Sequence, residues 1–444
     1  MLGKAAIVVG GSLAGLVAAR VLSDFFSTVT ILERDQLADE PGHRDGVPQD
    51  KHVHAFLKGG EHILTELFPG LDEELEKDGS AILDMGEDVK YYVGGTWRPR
   101  RPVGFKVHAQ SRPFLEWHLR KRVAALPNVS FKQGYQVTGL AANEDNTRVT
   151  GVTFRGREKG AQIETLEADF VVDAGGRGAG TPKWLEQLGY KPPQSDLVKI
   201  DLGYTSRFYR PSIDPSRDWK GIVFNTTGPN EPCGGGIFPV ENGRWLVTIV
   251  GYFGDHAPTD EEGFLDFLRR LPQPDIYEAL KDAEPLSPIT KYPFIGGVRR
   301  FYNELDRFPE GLVTLGDAQA SLNPIFGQGM TKCALEAKVL QKCLEERAPR
   351  TQDKLDGIYQ DYFKRSAKVI DGPWAATNLE DFKYPKTPGV RPKGFKLKIW
   401  YQKKFSKLIA SDPELFAKVF RVANFLDSPK ELTRPSMVIR VLLS

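Results

Sequence analysis

The feature that most constrains the fold of this chain is the pattern of its first 35 residues. The apolar run from Lys4 to Val9 predicts a short buried strand, and a glycine turn, Gly10 to Gly15 (GGSLAG), follows it. The apolar spacing of Leu16 to Leu22 predicts a helix, and Val29 to Leu32 predicts a second strand that ends at Glu33. A strand, a glycine turn, a helix and a second strand closed by an acid form the layout that binds a dinucleotide.

Each part of this turn has a physical reason. Gly10 lets the chain turn sharply, and Gly15 lets the helix lie close to the strand. Free N–H groups and the helix dipole at the helix start favour a pyrophosphate. Glu33 follows Gly15 by 18 residues, which suits a carboxylate that accepts from a ribose 2′-hydroxyl, as in FAD or NAD. Ser12 replaces the usual middle glycine, so an ordinary glycine turn of an α/β protein is the alternative.

Composition narrows the class of protein. The 444 residues suggest two or three domains, and 40% hydrophobic and 27% charged residues are ordinary for a soluble protein. A net charge of +2 argues against a nucleic-acid binder. The sequence contains no run of 18 uncharged apolar residues, so we predict no membrane span. The three cysteines have no C-x-x-C spacing, which predicts free thiols and a cytoplasmic protein. A signal peptide is the alternative for the N-terminus, but the same residues fit the nucleotide turn.

The next part of the chain predicts a loop over residues 36–51, a helix over 52–68 and a helix over 111–126. Arg112 is at the start of the last of these helices. We expect its guanidinium group either to pair with an anion or to be solvated. The histidines at positions 43, 52, 54 and 62 have no carboxylate or cysteine near them at the spacing of metal ligands, so we predict no metal site. Strands are predicted over residues 129–172, and the last of them, Ile163 to Val172, ends at Asp173 before a glycine-rich turn.

Residues 182–300 change character, with frequent proline and alternating aromatic and β-branched residues. Asn242-Gly243 between apolar runs predicts a β-hairpin, and Thr259 to Glu262 predicts a capping box at a helix start. A buried strand, Gly311 to Leu315, then leads into Gly316-Asp317 and the loop Asn323 to Met330 (NPIFGQGM), before another helix. The segment from residue 349 onward is predicted to be helical and basic.

The mixture of lysine with aromatic residues over 395–407 makes that segment a candidate for peripheral membrane contact or for contact with the donor of a lipophilic substrate. A solvated helix with a few core aromatics is the alternative.

Taken together, these motifs resemble the class A flavoprotein monooxygenases, which include aromatic hydroxylases, squalene epoxidase and polyether epoxidases. The resemblance spans residues 1–345 and depends on four anchors in order: the GGSLAG turn with Glu33-Arg34, Arg112, the Asp173 segment, and Gly316-Asp317 followed by NPxxGQGM. It implies an α/β fold, with an FAD-binding Rossmann-like domain of the glutathione-reductase type, an inserted antiparallel-sheet substrate domain and a C-terminal helical tail.

The resemblance also implies domain bounds. The discontinuous FAD-binding domain would comprise residues 1–75, 110–181 and 301–345, the substrate domain 76–109 and 182–300, and the C-terminal helical region 346–444. The cofactor-binding residues that it implies are Gly10, Ser12, Leu13, Ala14, Gly15, Glu33, Arg34, Arg44, Arg112, Asp317, Pro324, Gly327, Gln328, Gly329 and Met330. His52, His54 and Lys58 are candidate catalytic residues that are expected near the pocket.

The activity implied is monooxygenation with FAD as cofactor and NAD(P)H as reductant. In this family O₂ adds at flavin C4a, and the resulting hydroperoxide delivers one oxygen to an electron-rich carbon, so the product is a hydroxylated ring or an epoxide. The substrate expected is a large apolar or aromatic small molecule. The family match of Asp173 is incomplete, because Ala174 stands where the motif has glycine.

Three other functions remain open at this point. A flavin-dependent reductase of the geranylgeranyl-reductase type shares the GD motif and glycine loop but needs no O₂. A flavin halogenase is disfavoured, because none of the seven tryptophans forms a W-x-W pair. A non-catalytic FAD-binding regulator would hold flavin without oxidising NAD(P)H.

Overall fold

The computed structural model describes residues 1–443 of the chain. The strands are β1 (Gly3–Val9), β2 (Phe26–Glu33), β3 (Ala81–Leu83), β4 (Val89–Val93), β5 (Thr96–Trp97), β6 (Val107–Ala109), β7 (Val129–Gln133), β8 (Tyr135–Ala142), β9 (Val149–Gly156), β10 (Glu164–Glu167), β11 (Phe170–Asp173), β12 (Ser195–Arg210), β13 (Gly221–Phe224), β14 (Cys233–Val240), β15 (Arg244–Gly251), β16 (Glu284–Pro285), β17 (Thr290–Arg300), β18 (Leu312–Thr314) and β19 (Ala320–Ser321). The helices are α1 (Leu13–Ser23), α2 (Lys58–Leu67), α3 (Leu71–Lys77), α4 (Arg112–Ala124), α5 (Thr181–Gln187), α6 (Glu261–Arg269), α7 (Asp275–Leu280), α8 (Gly329–Arg347), α9 (Ile358–Asp381), α10 (Phe395–Ser411), α11 (Pro413–Ala423) and α12 (Pro435–Leu443).

A parallel sheet in the order β18-β11-β1-β2-β7 forms the centre of the fold. β11 and the second half of β1 are buried on both faces, which explains why they are continuous apolar runs rather than alternating ones. The predicted strand–turn–helix–strand unit is confirmed as β1, α1 and β2. The carboxyl ends of β1, β11 and β18 lie side by side, so the segments that follow these strands meet at one edge of the sheet.

A second, largely antiparallel sheet has the order β19-β17-β12-β15-β14-β13-β4-β5. The predicted hairpin is confirmed: β14 pairs with β15, and Asn242 adopts a φ of 63° in the turn between them. The predicted capping box is wrong in its first residue. Helix α6 begins at Glu261, and the Asp260 carboxylate accepts from the Gly263 N–H at 2.8 Å, so Asp260 rather than Thr259 is the N-cap.

Two predicted elements have different bounds because of tertiary pairing. The helix predicted over 52–68 begins only at Lys58, since the Val53 and Leu57 N–H groups donate to the Thr248 and Thr331 hydroxyls instead of continuing a helix. The strand predicted to run from Ile163 into Val172 is divided into β10 and β11, because β10 pairs with β9 and β11 pairs with β1.

The segment after α8 begins inside the main core. Leu355, Ile358 and Tyr362 are buried in the same cluster as the parallel sheet, whereas Ile370 and Trp374, further along α9, pack beside the second sheet. Helix α10 differs, because none of its residues is buried. Among residues 1–443, no helix is both long and apolar enough to span a membrane.

Candidate active site

One cavity of about 820 Å³ reaches both glycine loops. It lies where β1, β11 and the second sheet meet. The predicted cofactor residues in its wall are Gly10, Ser12, Leu13, Ala14, Glu33, Arg34, Arg44, Arg112, Asp317, Pro324, Gly327, Gly329 and Met330. Gly15 and Gln328 are not part of this wall. The volume is within the usual range of pockets that hold small molecules and cofactors.

The glycine turn after β1 brings helix α1 against the strand. Gly10 has a φ of +95°, which favours glycine. A Cβ on Gly15 would lie 1.8 Å from the Gly10 carbonyl oxygen. Gly15 therefore serves the close packing of helix on strand, while Ser12 and Ala14 face the cavity.

Glu33, at the end of β2, is held by backbone donors. Its carboxylate accepts from the Gly11 N–H at 2.7 Å and from the Asp35 N–H at 2.9 Å. Two oxygens have about four acceptor positions, so this carboxylate retains capacity for a ligand hydroxyl in the cavity.

A second buried carboxylate, Glu116 of α4, lies at the N-terminus of α1. One of its oxygens accepts from the Ser12 hydroxyl at 2.5 Å and from the Leu13 N–H at 3.1 Å. Arg112 pairs with it at 2.5 Å and Arg44 at 3.4 Å. Burial alone would raise the pKa of Glu116, but the two guanidinium groups hold it below its usual value.

Sequence reasoning missed Glu116, although it predicted that Arg112 has either an anionic partner or solvent around it. The partner is this carboxylate, one helical turn further along α4. The i, i+4 spacing of Arg112 and Glu116 was a usable signal, because such residues face each other on a helix.

The second glycine loop lies between β18 and α8. Gly316 has a φ of +74° and Gly327 a φ of +64°, so both turns favour glycine. The Gly316 N–H donates at 2.7 Å to Glu336 of α8, which is fully buried and paired with Lys332. This buried pair therefore sets the position of the turn that presents Asp317 to the cavity.

Asn323 connects the same loop to α9. Its side chain accepts from the Ile325 N–H at 3.1 Å and donates to Asp381 at 2.7 Å, and Tyr252 also donates to Asp381 at 3.1 Å. Burial raises the pKa of Asp381 to about 7. A carboxyl group on α9 thus anchors the loop through a hydrogen-bonded cluster.

We expect Asp381 to make stability pH-dependent. Its pKa is higher in the folded protein than in the unfolded chain, so its stabilising contribution is complete below about pH 4 and is lost as the pH rises through 7. The loss reaches at most about 4 kcal/mol, since each unit of pKa shift corresponds to ~1.4 kcal/mol. Chemical denaturation from pH 4 to pH 8 measures it. Asp381→Asn removes this component, and identical pH slopes for the two proteins would contradict the assignment.

The candidate catalytic residues are placed differently from one another. His52 and His54 line the cavity, whereas Lys58 does not and pairs with Glu61 at 2.8 Å. The His52 Nδ1 lies 2.7 Å from the Ser206 hydroxyl. The His54 Nδ1 donates to the His52 carbonyl at 2.9 Å, so its Nε2 keeps a lone pair. Burial lowers the pKa of His52 to about 3 and that of His54 to about 4, so both are neutral.

Asp173 ends β11 in the wall of the cavity, and its carboxylate accepts hydrogen bonds from protein groups. It is fully buried and accepts from the Thr181 hydroxyl at 2.5 Å and from the Gly175 N–H at 2.9 Å. Its carboxylate organises the turn of residues 174–180, whose glycines form part of the cavity wall. Burial raises its pKa.

The far end of the cavity, where the second sheet forms the wall, is aromatic. Sequence reasoning did not single out its residues. Tyr204, Tyr292 and Phe294 of the second sheet line it, and the Arg177 guanidinium lies 5.0 Å from the centre of the Phe294 ring. Among the described residues, the group with metal-ligand spacing is Glu74, Asp78 and His118, away from this cavity, where Arg122 already pairs with Glu74.

No protein-family model matches the chain. It is 38% identical over 350 residues to the protein Rv3254 of Mycobacterium tuberculosis, covering 77% of this chain and 73% of that protein. It is 23% identical over 364 residues to a kynurenine 3-monooxygenase of Salinispora tropica, covering 78% and 73%. The structure of the flavin-dependent brominase Bmp2 superposes with a TM-score of 0.67 at 14% identity, covering 99% of this chain and 98% of that one.

Proposed function

Because this chain belongs to the class A FAD-dependent monooxygenase family, we propose that it uses FAD, NAD(P)H and O₂ to hydroxylate or epoxidise a large apolar or aromatic small molecule. The observation that supports this most directly is the single cavity that reaches both glycine loops. An extended dinucleotide needs a site of this kind, with one loop at its adenosine and pyrophosphate half and the other at its flavin half.

The residues of the wall fit FAD. Apart from adjacent residues and the local helix backbone, no protein atom lies within 4 Å of the Cβ position of Gly176, Gly178 or Gly329, so these glycines leave open space for a ligand against the backbone. Arg34, Arg44 and Arg112 supply positive charge beside the N-terminus of α1, where a pyrophosphate is stabilised.

We assign each region of the wall to one part of FAD. Ser12 and Ala14 would adjoin the pyrophosphate, Glu33 would accept from the adenosine ribose, and Asp317 would accept from the ribityl chain. Gly327 and Gly329 would adjoin the pyrimidine edge of the flavin. There the N-terminus of α8 stabilises negative charge, because its first N–H groups lack partners in the helix.

Bound FAD would supply the electron transfer from NAD(P)H and the activation of O₂. The chain itself supplies orientation and a dry site. Tyr292, Phe294 and Leu322 form apolar surface at the far end of the cavity, which keeps water from the reacting atoms. His54 presents a neutral acceptor to the cavity and adds no charge.

Purification followed by an absorption spectrum is the first test, and we expect a yellow protein with FAD bound. NADPH and NADH oxidation and O₂ uptake are then measured against polyenes, phenols and quinolones. Substrate-dependent O₂ uptake with oxygen in the product supports a monooxygenase. Turnover without O₂ supports a reductase, halide incorporation a halogenase, and bound flavin that oxidises no NAD(P)H a regulator. A protein that binds no added FAD would overturn the proposal.

We also propose that α10 and α12 form a peripheral contact with anionic membranes. Leu397, Trp400, Ile439 and Leu442 are exposed on these helices. Lys404 joins the two helices, since its ammonium donates to the Leu442 carbonyl at 2.9 Å and lies 5.4 Å from the centre of the Trp400 ring. Lys396, Lys398, Lys403 and Lys407 form no ion pair with any residue of the described range 1–443. The exposed apolar side chains could enter the acyl region of a bilayer, and the unpaired lysines beside them would attract anionic lipid headgroups.

Vesicle co-sedimentation tests this contact. We expect binding to vesicles that contain phosphatidylglycerol and little binding to pure phosphatidylcholine. At about 0.5 M salt the protein should be released, because the ions screen the attraction between the lysines and the anionic lipids. Lys403→Glu with Lys407→Glu should abolish the binding, while Lys159→Glu with Lys191→Glu, exposed charges elsewhere, should not. Equal binding of both double variants to the vesicles would contradict the proposal. Concentration-dependent self-association through this surface would instead show that it contacts a second copy of the chain.

A further inference from the structure

Two polar atoms in the wall of the cavity have no hydrogen-bond partner in the protein. They are Nε2 of His52 and the hydroxyl of Tyr204. Both side chains line the cavity, are only 3% and 6% exposed, and have ring centres 5.7 Å apart. An unpaired buried polar group is costly, so two of them side by side in a ligand cavity point to a ligand atom that satisfies both.

A chain of hydrogen bonds determines which proton His52 presents. The Val53 N–H donates to the Thr248 hydroxyl at 2.9 Å, that hydroxyl lies 2.6 Å from the Ser206 hydroxyl, and Ser206 lies 2.7 Å from Nδ1 of His52. Only one direction uses every proton. Thr248 donates to Ser206, and Ser206 donates to Nδ1.

In the opposite direction the buried Thr248 proton would have no acceptor among these groups, which is costly. Nδ1 of His52 is therefore an acceptor, and its Nε2 carries the hydrogen. This tautomer makes His52 a donor on the side of the ring that faces away from Ser206.

Burial keeps both groups in their neutral, donating forms. It lowers the pKa of His52 to about 3, helped by the nearby His54 and Lys51, and it raises the pKa of Tyr204 well above 10. Near neutral pH the wall thus offers an imidazole N–H and a phenol O–H, and neither group accepts a proton from a ligand there.

We propose, on the basis of the function proposed above, that the His52 Nε2–H and the Tyr204 O–H bind one acceptor oxygen of the substrate. The substrate would then carry a carbonyl, quinone or phenolate oxygen. Two neutral donors favour such an oxygen over a plain hydrocarbon, because only the oxygen satisfies both of them. The assignment therefore favours oxygenated aromatic or quinonoid substrates over hydrocarbon polyenes.

The test uses the FAD-loaded protein and two probes of similar shape, pentafluorophenolate and pentafluorotoluene, of which only the first has an acceptor oxygen, with binding followed by flavin absorption and by competition. We expect the wild type to bind pentafluorophenolate at least about tenfold more tightly than pentafluorotoluene, since a hydrogen bond to a charged group contributes roughly that factor or more. Tyr204→Phe and His52→Leu should each abolish most of this preference, while His52→Gln, which keeps a donor, should retain part of it.

Tyr209→Phe is the matched control, because Tyr209 is on the same strand, has an unpaired buried hydroxyl and does not line the cavity. ¹⁵N spectra of histidine-labelled protein should show protonation at Nε2 of His52, and Ser206→Ala should remove the preference for this tautomer. Equal affinity of the wild type for the two probes overturns the inference. So does a loss of FAD affinity, rather than probe affinity, in Tyr204→Phe and His52→Leu, because the donors would then belong to the cofactor. A protein that binds no FAD instead refutes the proposed function.

Discussion

Replacing Gly15 by alanine is expected to destabilise the fold severely, whereas replacing Gly329 by alanine should leave the fold intact and weaken FAD binding. Both glycines are in helices that begin at a glycine loop. A Cβ on Gly15 would lie 1.8 Å from the Gly10 carbonyl oxygen and 2.9 Å from its carbon, which are backbone atoms. Neither atom can move without shifting β1 or α1, so we expect a loss of about 4 kcal/mol or more in the free energy of unfolding.

Apart from adjacent residues and the local backbone of α8, a Cβ on Gly329 would meet no protein atom within 4 Å. The substitution should therefore leave the unfolding free energy of the apoprotein within about 0.5 kcal/mol of the wild type. The methyl group would project into space that we assign to the flavin, and we expect FAD affinity to fall by roughly tenfold or more, which corresponds to ~1.4 kcal/mol.

Urea denaturation of the apoprotein and fluorescence titration with FAD separate the two effects. Gly42→Ala is the control for a glycine-to-alanine change alone, because Gly42 is in an exposed loop and its Cβ would lie 3.9 Å from the Glu40 carbonyl oxygen, an ordinary contact distance. A folded Gly15→Ala protein of normal stability would show that α1 does not pack against β1 as described. Normal FAD affinity in Gly329→Ala would show that the N-terminus of α8 is not part of the cofactor site.

The buried pair Lys332–Glu336 gives the second large effect. Both side chains are fully buried, with Nζ 3.2 Å from the nearer carboxylate oxygen. Burial opposes the charge of Lys332, but the Glu336 carboxylate raises its pKa, so the ammonium stays protonated. Lys332→Met leaves a buried carboxylate without its partner, and we expect a loss of about 3–5 kcal/mol in the free energy of unfolding.

The double variant Lys332→Met with Glu336→Gln should recover most of that loss. It removes both charges, and the glutamine oxygen still accepts from the Gly316 N–H. Lys338→Met is the matched control on the same helix, because Lys338 pairs with Glu66 at 2.6 Å but the two side chains are 45% and 58% exposed. We expect it to cost about 0–1 kcal/mol. Denaturation of the wild type, Lys332→Met, the double variant and Lys338→Met measures these differences, and a double variant no more stable than Lys332→Met would contradict the ion-pair interpretation.

The sequence predicted the segments whose structure is decided locally. The β1–α1–β2 unit, the Asn242-Gly243 hairpin and the loop before α8 depend on residues that are close in sequence. Periodicity and turn propensity therefore identify them. The same reasoning placed His52 at the start of a helix, because its apolar spacing is helical and the pairing of Val53 with a distant strand is not visible in it.

What the sequence alone determined is the kind of fold and the two glycine loops, since the conformation of each loop follows from residues a few positions apart. The tertiary structure decided which side chains complete the site. Ser12 and Glu116 are 104 residues apart, His52 and Ser206 are 154, and Asn323 and Asp381 are 58. Such pairs are selected by the packing of sheets and helices and by the cost of leaving buried polar groups unpaired, and no local pattern of residues records that selection.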